Sequence, residues 1–311
     1  MSDPSDMSGI GLGTGLGIDA GGTATRWHLL DTYERTIATG STSSLTGHVY
    51  SDEAKARAST VVAEIAAAVR QHARPTAVLA GVTGLDEGTE EANFYQAAFA
   101  RLLGLSPAVV RIENDMGIAY RAACAPGTGV LVYSGTGSVA CHVTRAGEHI
   151  RVGGRGVIID DGGSGFWVAK EAVKAVFRAE DAAPGSGWAT PLGEELASGF
   201  GGATWDHARA FIYGGERGRV AGLALSVAKA AARDDCTALR IIEAAGVELA
   251  ALASALIARL GPREAILAGG TATIHPALCA AFAHHLPPGT PHRLATLDPA
   301  RAAARAAALG E

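Results

Sequence analysis

The sequence predicts an α/β fold made of two similar halves, and three observations lead to it. Short runs of β-forming residues alternate with amphipathic helical stretches, the pattern of strands crossed by helices. One run, Val130-Leu-Val-Tyr133, enters the turn Ser134-Gly-Thr-Gly-Ser138, whose small and hydroxylic residues let backbone N–H groups and hydroxyls close on a phosphate. The same grammar occurs near the N-terminus, where Leu16-Gly-Ile-Asp19 feeds Ala20-Gly-Gly-Thr-Ala24. Each copy continues as a hairpin, Thr25 to Leu30 then Thr36 to Thr39 in the first, Val139 to Thr144 then His149 to Val152 in the second. Such repetition predicts a duplicated architecture with one phosphate loop per half.

After the first hairpin, residues 38–48 are crowded with hydroxyls and read as a loop, either a solvated turn or a contact for a polar ligand. Ser51 to His72 reads as a helix, capped by Ser51, with Asp52 and Glu53 in its first turn and Val61, Val62, Ile65 and Val69 on one face. Ala77 to Val82 is a buried strand leading to the loop Thr83 to Gly88. Glu91 to Leu103 is a helix ended by Gly104, and Ala108 to Ile112 a further strand whose end delivers Glu113-Asn114-Asp115. Ligands of α/β folds gather at the carboxyl ends of strands, so Asp115 stands where chemistry is possible.

In the second half, Val152 to Gly165 is dense in glycine and carries the adjacent acids Asp160 and Asp161 before a helix from Phe166 to Phe177. Glycines so concentrated serve a structural turn or a close backbone approach to a ligand. Residues 178–218 read as irregular. The chain is then largely helical, with Ile241, Ile242, Ala245, Leu249, Leu252, Leu256 and Leu260 on one face, followed by the strand Ala265 to Ala268, the turn Gly269-Gly270, a helix after Pro276 and a last helix over Pro299 to Leu309.

Composition narrows the function. The 311 residues exceed the roughly 100–200 of an average domain, and 48% hydrophobic against 18% charged residues predicts a large core. Net charge is −5 with scattered basic residues, which argues against nucleic acid and anionic membrane and favours a small-molecule partner. Cys124, Cys141, Cys236 and Cys279 form no C-x-x-C pair and read as free thiols of a reducing cytoplasm. Residues 1–15 read as a flexible tail rather than a signal peptide, and no apolar run comes near the roughly 20 residues that span a bilayer. A Walker A loop is absent, because no lysine follows these glycines. Gly135-x-Gly137-x-x-Ala140 matches a dinucleotide fingerprint, but that motif needs a helix directly after it and a hairpin follows here.

Asp19-Ala-Gly-Gly-Thr-Ala-Thr25 resembles the first phosphate motif of the sugar kinase, heat-shock ATPase and actin superfamily, Ser134 to Ser138 its second, and Ala268-Gly-Gly-Thr271 its adenosine motif. Asn114-Asp115 and Gly154-Arg-Gly-Val-Ile-Ile-Asp-Asp161-Gly-Gly-Ser164 resemble the N-acetylglucosamine kinase branch, which also holds the BadF/BadG-type ATPases. The resemblance runs from about Leu16 to the C-terminus. It implies two actin-like, ribonuclease H-like domains closing over a central cleft, residues 16–122 and 123–311, with the last helix able to pack back on the first domain. It further implies a cytoplasmic kinase of an amino sugar or hexose that uses ATP and Mg²⁺ and forms a homodimer.

On that resemblance Asp115 is the base that accepts the sugar hydroxyl's proton, its alternative being a helix cap. Asp19 holds magnesium through its water shell, its alternative being a turn residue. Gly21, Gly22, Thr23, Gly135, Thr136, Gly137 and Ser138 cradle phosphates, and Gly269 and Gly270 let adenine approach. Ser43, Asn114, Gly154, Arg155, Gly156 and Asp161 line the sugar site. Three positions depart from the branch: Gly40-Ser-Thr-Ser43 replaces Gly-Pro-Ser-Asn, Arg155 stands where Trp is common, and Gly162 replaces the Glu of Asp-Glu-Gly. An activator of a radical dehydratase is the competing reading, but it needs cysteine-bearing loops that present an iron–sulfur cluster, and none of the four cysteines lies in a glycine loop. A non-catalytic sugar sensor of the same fold is the third.

Overall fold

The computed structural model describes residues 13–21, 24–85 and 87–310. The chain divides into two compact units, Met1–Cys124 with Leu297–Glu311, and Ala125–Thr296. The division falls after Cys124, and the last segment, Leu297–Glu311, belongs with the first unit.

In the first unit, β1 (Gly15–Ala20), β2 (Thr25–Leu30) and β3 (Thr36–Thr42) form an antiparallel meander, α1 (Asp52–Arg70) crosses to β4 (Ala77–Val82), and α2 (Glu90–Leu103) crosses to β5 (Val110–Asn114). The strand order is β3-β2-β1-β4-β5, with β4 parallel to both β1 and β5. Then α3 (Asp115–Ala123) leaves the sheet. The second unit repeats this plan. Its strands β6 (Val130–Ser134), β7 (Ser138–Val143), β8 (His149–Gly153), β9 (Ala265–Ala268) and β10 (His292–Ala295) lie in the order β10-β9-β6-β7-β8, the same sequence of pairings with the same directions.

The halves differ in what joins the third and fourth strands. In the second unit α4 (Gly165–Ala182), α5 (Pro191–Phe200), α6 (Trp205–Tyr213), α7 (Arg217–Ala221), α8 (Ala224–Ala231) and α9 (Cys236–Leu260) lie there, and α10 (Pro276–His285) precedes β10. Residues 178–218, expected to be irregular, thus hold two whole helices, α5 and α6, the end of α4 and the first residues of α7. Their prolines and glycines sit at helix ends: Pro191 is at the first turn of α5, whose cap is Thr190, Gly201 closes it at φ 85°, and Thr204 caps α6. A helix-breaker at a terminus costs nothing, so composition misreads the region.

Other boundaries also moved. Ser106 caps a short 3-10 turn over Pro107–Val109, so β5 begins at Val110 and not Ala108. β3 runs on to Thr42, into the stretch read as loop. The four-residue β10 was not anticipated, since its exposed, non-alternating residues carry no strand period. α9 is long and apolar enough by length and composition to cross a membrane, contrary to the sequence expectation. Here it is the central helix of the second unit, with Ile242, Ala245, Leu249, Ala253 and Leu256 buried in that unit's core.

Strand alternation sets the two faces of the first sheet. Leu16, Ile18 and Ala20 of β1 and Val78, Ala80 and Val82 of β4 pack with Val62, Ile65, Tyr95 and Phe99 of α1 and α2. The opposite face presents Gly15, Gly17 and Asp19, and α11 (Pro299–Leu309) lies on it. The contact is close. A β-carbon at Gly17 would stand 2.0 Å from the carbonyl oxygen of Ala300 and 2.1 Å from the nitrogen of Ala304, so the helix reaches the strand only where both present minimal side chains.

Candidate active site

In the first unit the site grows from that glycine-bearing face. Asp19, next to last in β1, lies in register with Arg26 of β2 and Gly81 of β4. A β-carbon at Gly81 would stand 3.1 Å from Cα of Asp115 and 2.5 Å from Ile118. Asp19, the bare Gly81 and Asp115 therefore follow one another across one face of the sheet. Asp115 is the first residue of α3, and Asn114 caps the helix by accepting the Met116 N–H at 3.0 Å. The capping role held open for Asp115 thus belongs to its neighbour. Asn114 also donates through Nδ2 to the Leu85 carbonyl at 2.9 Å, so both ends of its amide serve the fold.

The carboxylate of Asp115 accepts the Thr83 hydroxyl and nearby backbone N–H groups, while burial holds its pKa above the usual carboxylate range. Burial and then the Asp115 charge push Asp19 up to about 6, with Asp298 adding to the rise and Arg26 opposing it. Thr83 and Asp298 were not singled out from the sequence. Thr83 follows β4, which pairs with β1, and its N–H donates to Ala20 at 3.0 Å, a strand-end position that could have marked it. Asp298 caps α11 and reaches this face only through tertiary packing.

The remaining residues of the first unit are less concentrated. Gly21 donates to Ala24 at 3.2 Å across the first loop, whereas Gly22 and Thr23 lie outside the described residues. Ser43 is exposed just beyond β3.

In the second unit the loop after β6 is braced from three sides. The Gly135 N–H donates to Gly137, and the Gly135 carbonyl accepts both the Gly165 N–H at 2.8 Å and the Thr271 hydroxyl at 2.9 Å. Ser134 and Ser138 are buried, and their hydroxyls donate to Gly163 at 2.8 Å and Gly162 at 2.7 Å. Those hydroxyls fasten the 154–165 loop. The backbone N–H groups of Thr136 and Gly137 donate to no group among the described residues, which leaves them for an anion.

Asp161 is buried and links the two loops. It accepts N–H groups of Gly156, at 3.1 Å, and Arg155, and its Oδ2 lies 2.6 Å from where a β-carbon on Gly137 would sit. Burial raises its pKa, the Gly156 N–H opposes. It takes φ 61°, an uncommon conformation for a residue with a side chain. The Gly154 N–H is bound to Ser138, and the Arg155 side chain is exposed. Where a side chain at position 162 would extend, the Glu248 carboxylate of α9 stands 2.8 Å from the β-carbon position. Gly269 has φ 103°, and a β-carbon there would lie 2.2 Å from the Ser134 carbonyl oxygen, whereas Gly270 faces open space. The structure brings Gly135 to Ser138, Gly269, Thr271, Gly165 and Asp161 into one cluster. A separate concavity of about 340 Å³, lined by Gly127, His142, Thr144, Arg145, Leu260 and Arg263, lies at the other end of the β6–β7 hairpin and holds none of the candidate residues.

Two sheets of one duplicated topology, each with a glycine turn after its first strand, define a protein of the actin-like sugar kinase fold. The candidate N-acetylglucosamine kinase of Chromobacterium violaceum superposes with a TM-score of 0.72 at 25% identity, over 93% of this chain and 96% of that one. The corresponding candidate kinase of Porphyromonas gingivalis gives 0.74 at 18% identity, over 93% and 97%. The N-acetylmuramic acid/N-acetylglucosamine kinase of Clostridium acetobutylicum is 33% identical over 106 residues, and that match spans only about a third, 34%, of either chain. Residues 16–286 match the BadF/BadG/BcrA/BcrD ATPase family, and the chain belongs to it.

Proposed function

We propose that the protein is an ATP-dependent kinase that phosphorylates a hydroxyl of an amino sugar or hexose, of the N-acetylglucosamine or glucosamine type. The observation that carries this reading is Asp115, a carboxylate of raised pKa at the start of α3, set on the same sheet face as Asp19 and aligned by Thr83. Transfer requires the attacking hydroxyl, the γ-phosphorus and the leaving oxygen in line. Asp115 takes the hydroxyl proton as the new oxygen–phosphorus bond forms and the bond to the β-phosphate oxygen breaks, releasing ADP and the sugar phosphate. The N–H groups of Thr136 and Gly137, without an acceptor among the described residues, suit the charge that develops on the phosphates.

The donor set fits a magnesium ion held mostly by water and phosphate. Asp19 is a carboxylate pushed up to about 6 with Arg26 as its opposing charge, and no group of three metal-ligating side chains occurs among the described residues. A hard cation that keeps most of its water shell needs no more protein ligands than this. When bound, it would supply charge neutralisation at the phosphates.

A coupled ADP-release assay over glucosamine, N-acetylglucosamine, N-acetylmuramic acid and neutral hexoses tests the proposal. ADP release should depend on one of these sugars and be slow without any. Sugar-independent hydrolysis at the same rate would overturn it.

A further inference from the structure

The second phosphate loop contains no basic residue, although a nucleotide triphosphate brings several negative charges to it. The structure supplies a candidate from the helical stretch that the sequence reading passed over. α7 lies against this loop at both ends. A β-carbon on Gly218 would stand 4.0 Å from the Thr136 hydroxyl, and one on Gly165 would meet the carbonyl oxygen of Ala221 at 3.1 Å, that of Gly135 at 3.2 Å and the Thr271 hydroxyl at 2.9 Å. The loop, the turn at Thr271 and α7 thus converge at the start of α4. Arg217 opens α7, its side chain is exposed, and among the described residues it has no hydrogen bond or ion pair. Its charge is nonetheless felt by Asp161, whose Oδ2 lies against Gly137. Arg219, two positions on, is already engaged over the Phe211 ring at 4.1 Å.

We propose that Arg217 is a nucleotide-binding residue, its guanidinium pairing with the phosphate chain held by the Thr136 and Gly137 N–H groups. This rests on the nucleotide reading above. A guanidinium offers two parallel donors to phosphate oxygens, which a flexible ammonium does not, so lysine should replace it only in part.

Calorimetric titration of the full chain with ATP, ADP and adenosine, in the presence of magnesium, tests the assignment. Arg217→Gln should weaken ATP and ADP by about 10- to 100-fold, the worth of a charge-assisted pair, and leave adenosine unchanged. Arg217→Lys should recover part of the loss, and Arg219→Gln should have no such effect. Equal loss for adenosine and ATP would mean that α7 only supports the loop, and unaltered ATP binding by Arg217→Gln would likewise overturn the inference. Loss confined to Arg155→Gln would assign the role to that residue instead. If the wild-type chain binds ATP without phosphorylating any sugar, a selective loss in Arg217→Gln still upholds Arg217 while the kinase reading falls. A wild-type chain that binds no nucleotide refutes both.

Discussion

Gly81 stands in register with Asp19 on β4, and the place its β-carbon would occupy is 3.1 Å from Cα of Asp115. The absence of a side chain there lets two carboxylates from distant parts of the sequence share one sheet face. Burial disfavours charge on both, and the Asp115 charge adds to the cost of charging Asp19. Sites that tolerate such strain often do so for chemistry.

Asp115→Asn should lower kcat on the order of 10²–10⁴-fold, the worth of a positioned base, with ATP affinity unchanged. Steady-state kinetics beside nucleotide titration separate the two. In the wild type, kcat should fall on the acid side as Asp115 is protonated, and the midpoint should lie above the ordinary Asp value of 3.8 because burial raises it. Turnover that survives the substitution removes Asp115 from the mechanism.

Asp19 makes a prediction of opposite sign for stability and activity. Its folded pKa, about 6, exceeds its ordinary 3.8, so the folded state holds the proton more tightly. Stability contributed at this position therefore falls as pH rises from about 4 to about 6, and the penalty is complete above that window. Asp19→Asn should stabilise the ligand-free protein at neutral pH by at most about 3 kcal/mol, discounted for partial solvent contact, and have little effect at pH 4. Urea unfolding at the two pH values measures this. The same variant should lose magnesium-dependent turnover.

Gly269 and Gly270 should behave differently although adjacent. Gly269→Ala combines positive φ with a 2.2 Å approach to the Ser134 carbonyl oxygen, and should cost several kcal/mol by strain and displacement. Gly270→Ala meets nothing within 4 Å and keeps an ordinary helical φ of −63°, so the melting temperature should hold. If adenine approaches here, ATP affinity should nevertheless drop in Gly270→Ala. Equal melting temperatures for both variants would contradict the packing described.

Gly17→Ala should loosen α11 from β1, since the added methyl would overlap the backbone of Ala300 and Ala304. A loss of about 1–3 kcal/mol is expected from overpacking, with faster hydrogen exchange in α11 than elsewhere in the first unit. Exchange that rises evenly over the unit would instead show α11 to be inseparable from the sheet.

Local chemistry determined much of this protein before any packing was considered. Alternation and turn residues give the strands Thr25–Leu30, Ala77–Val82 and Ala265–Ala268 and the helix Pro299–Leu309 with their observed bounds, because period and capping are properties of neighbouring residues. The same local grammar revealed the duplicated hairpins and located Asp19 and Asp115 at strand ends. It failed at residues 178–218, where Pro191 and Gly201 mark helix ends and not loops, and so it missed Arg217. Only the tertiary structure set Gly81 between Asp19 and Asp115, turned the hydroxyls of Ser134 and Ser138 inward to the 154–165 loop, and laid α11 on β1. Those relations depend on distances between residues far apart in the chain, and such distances are decided by which faces can approach closely enough to exclude water.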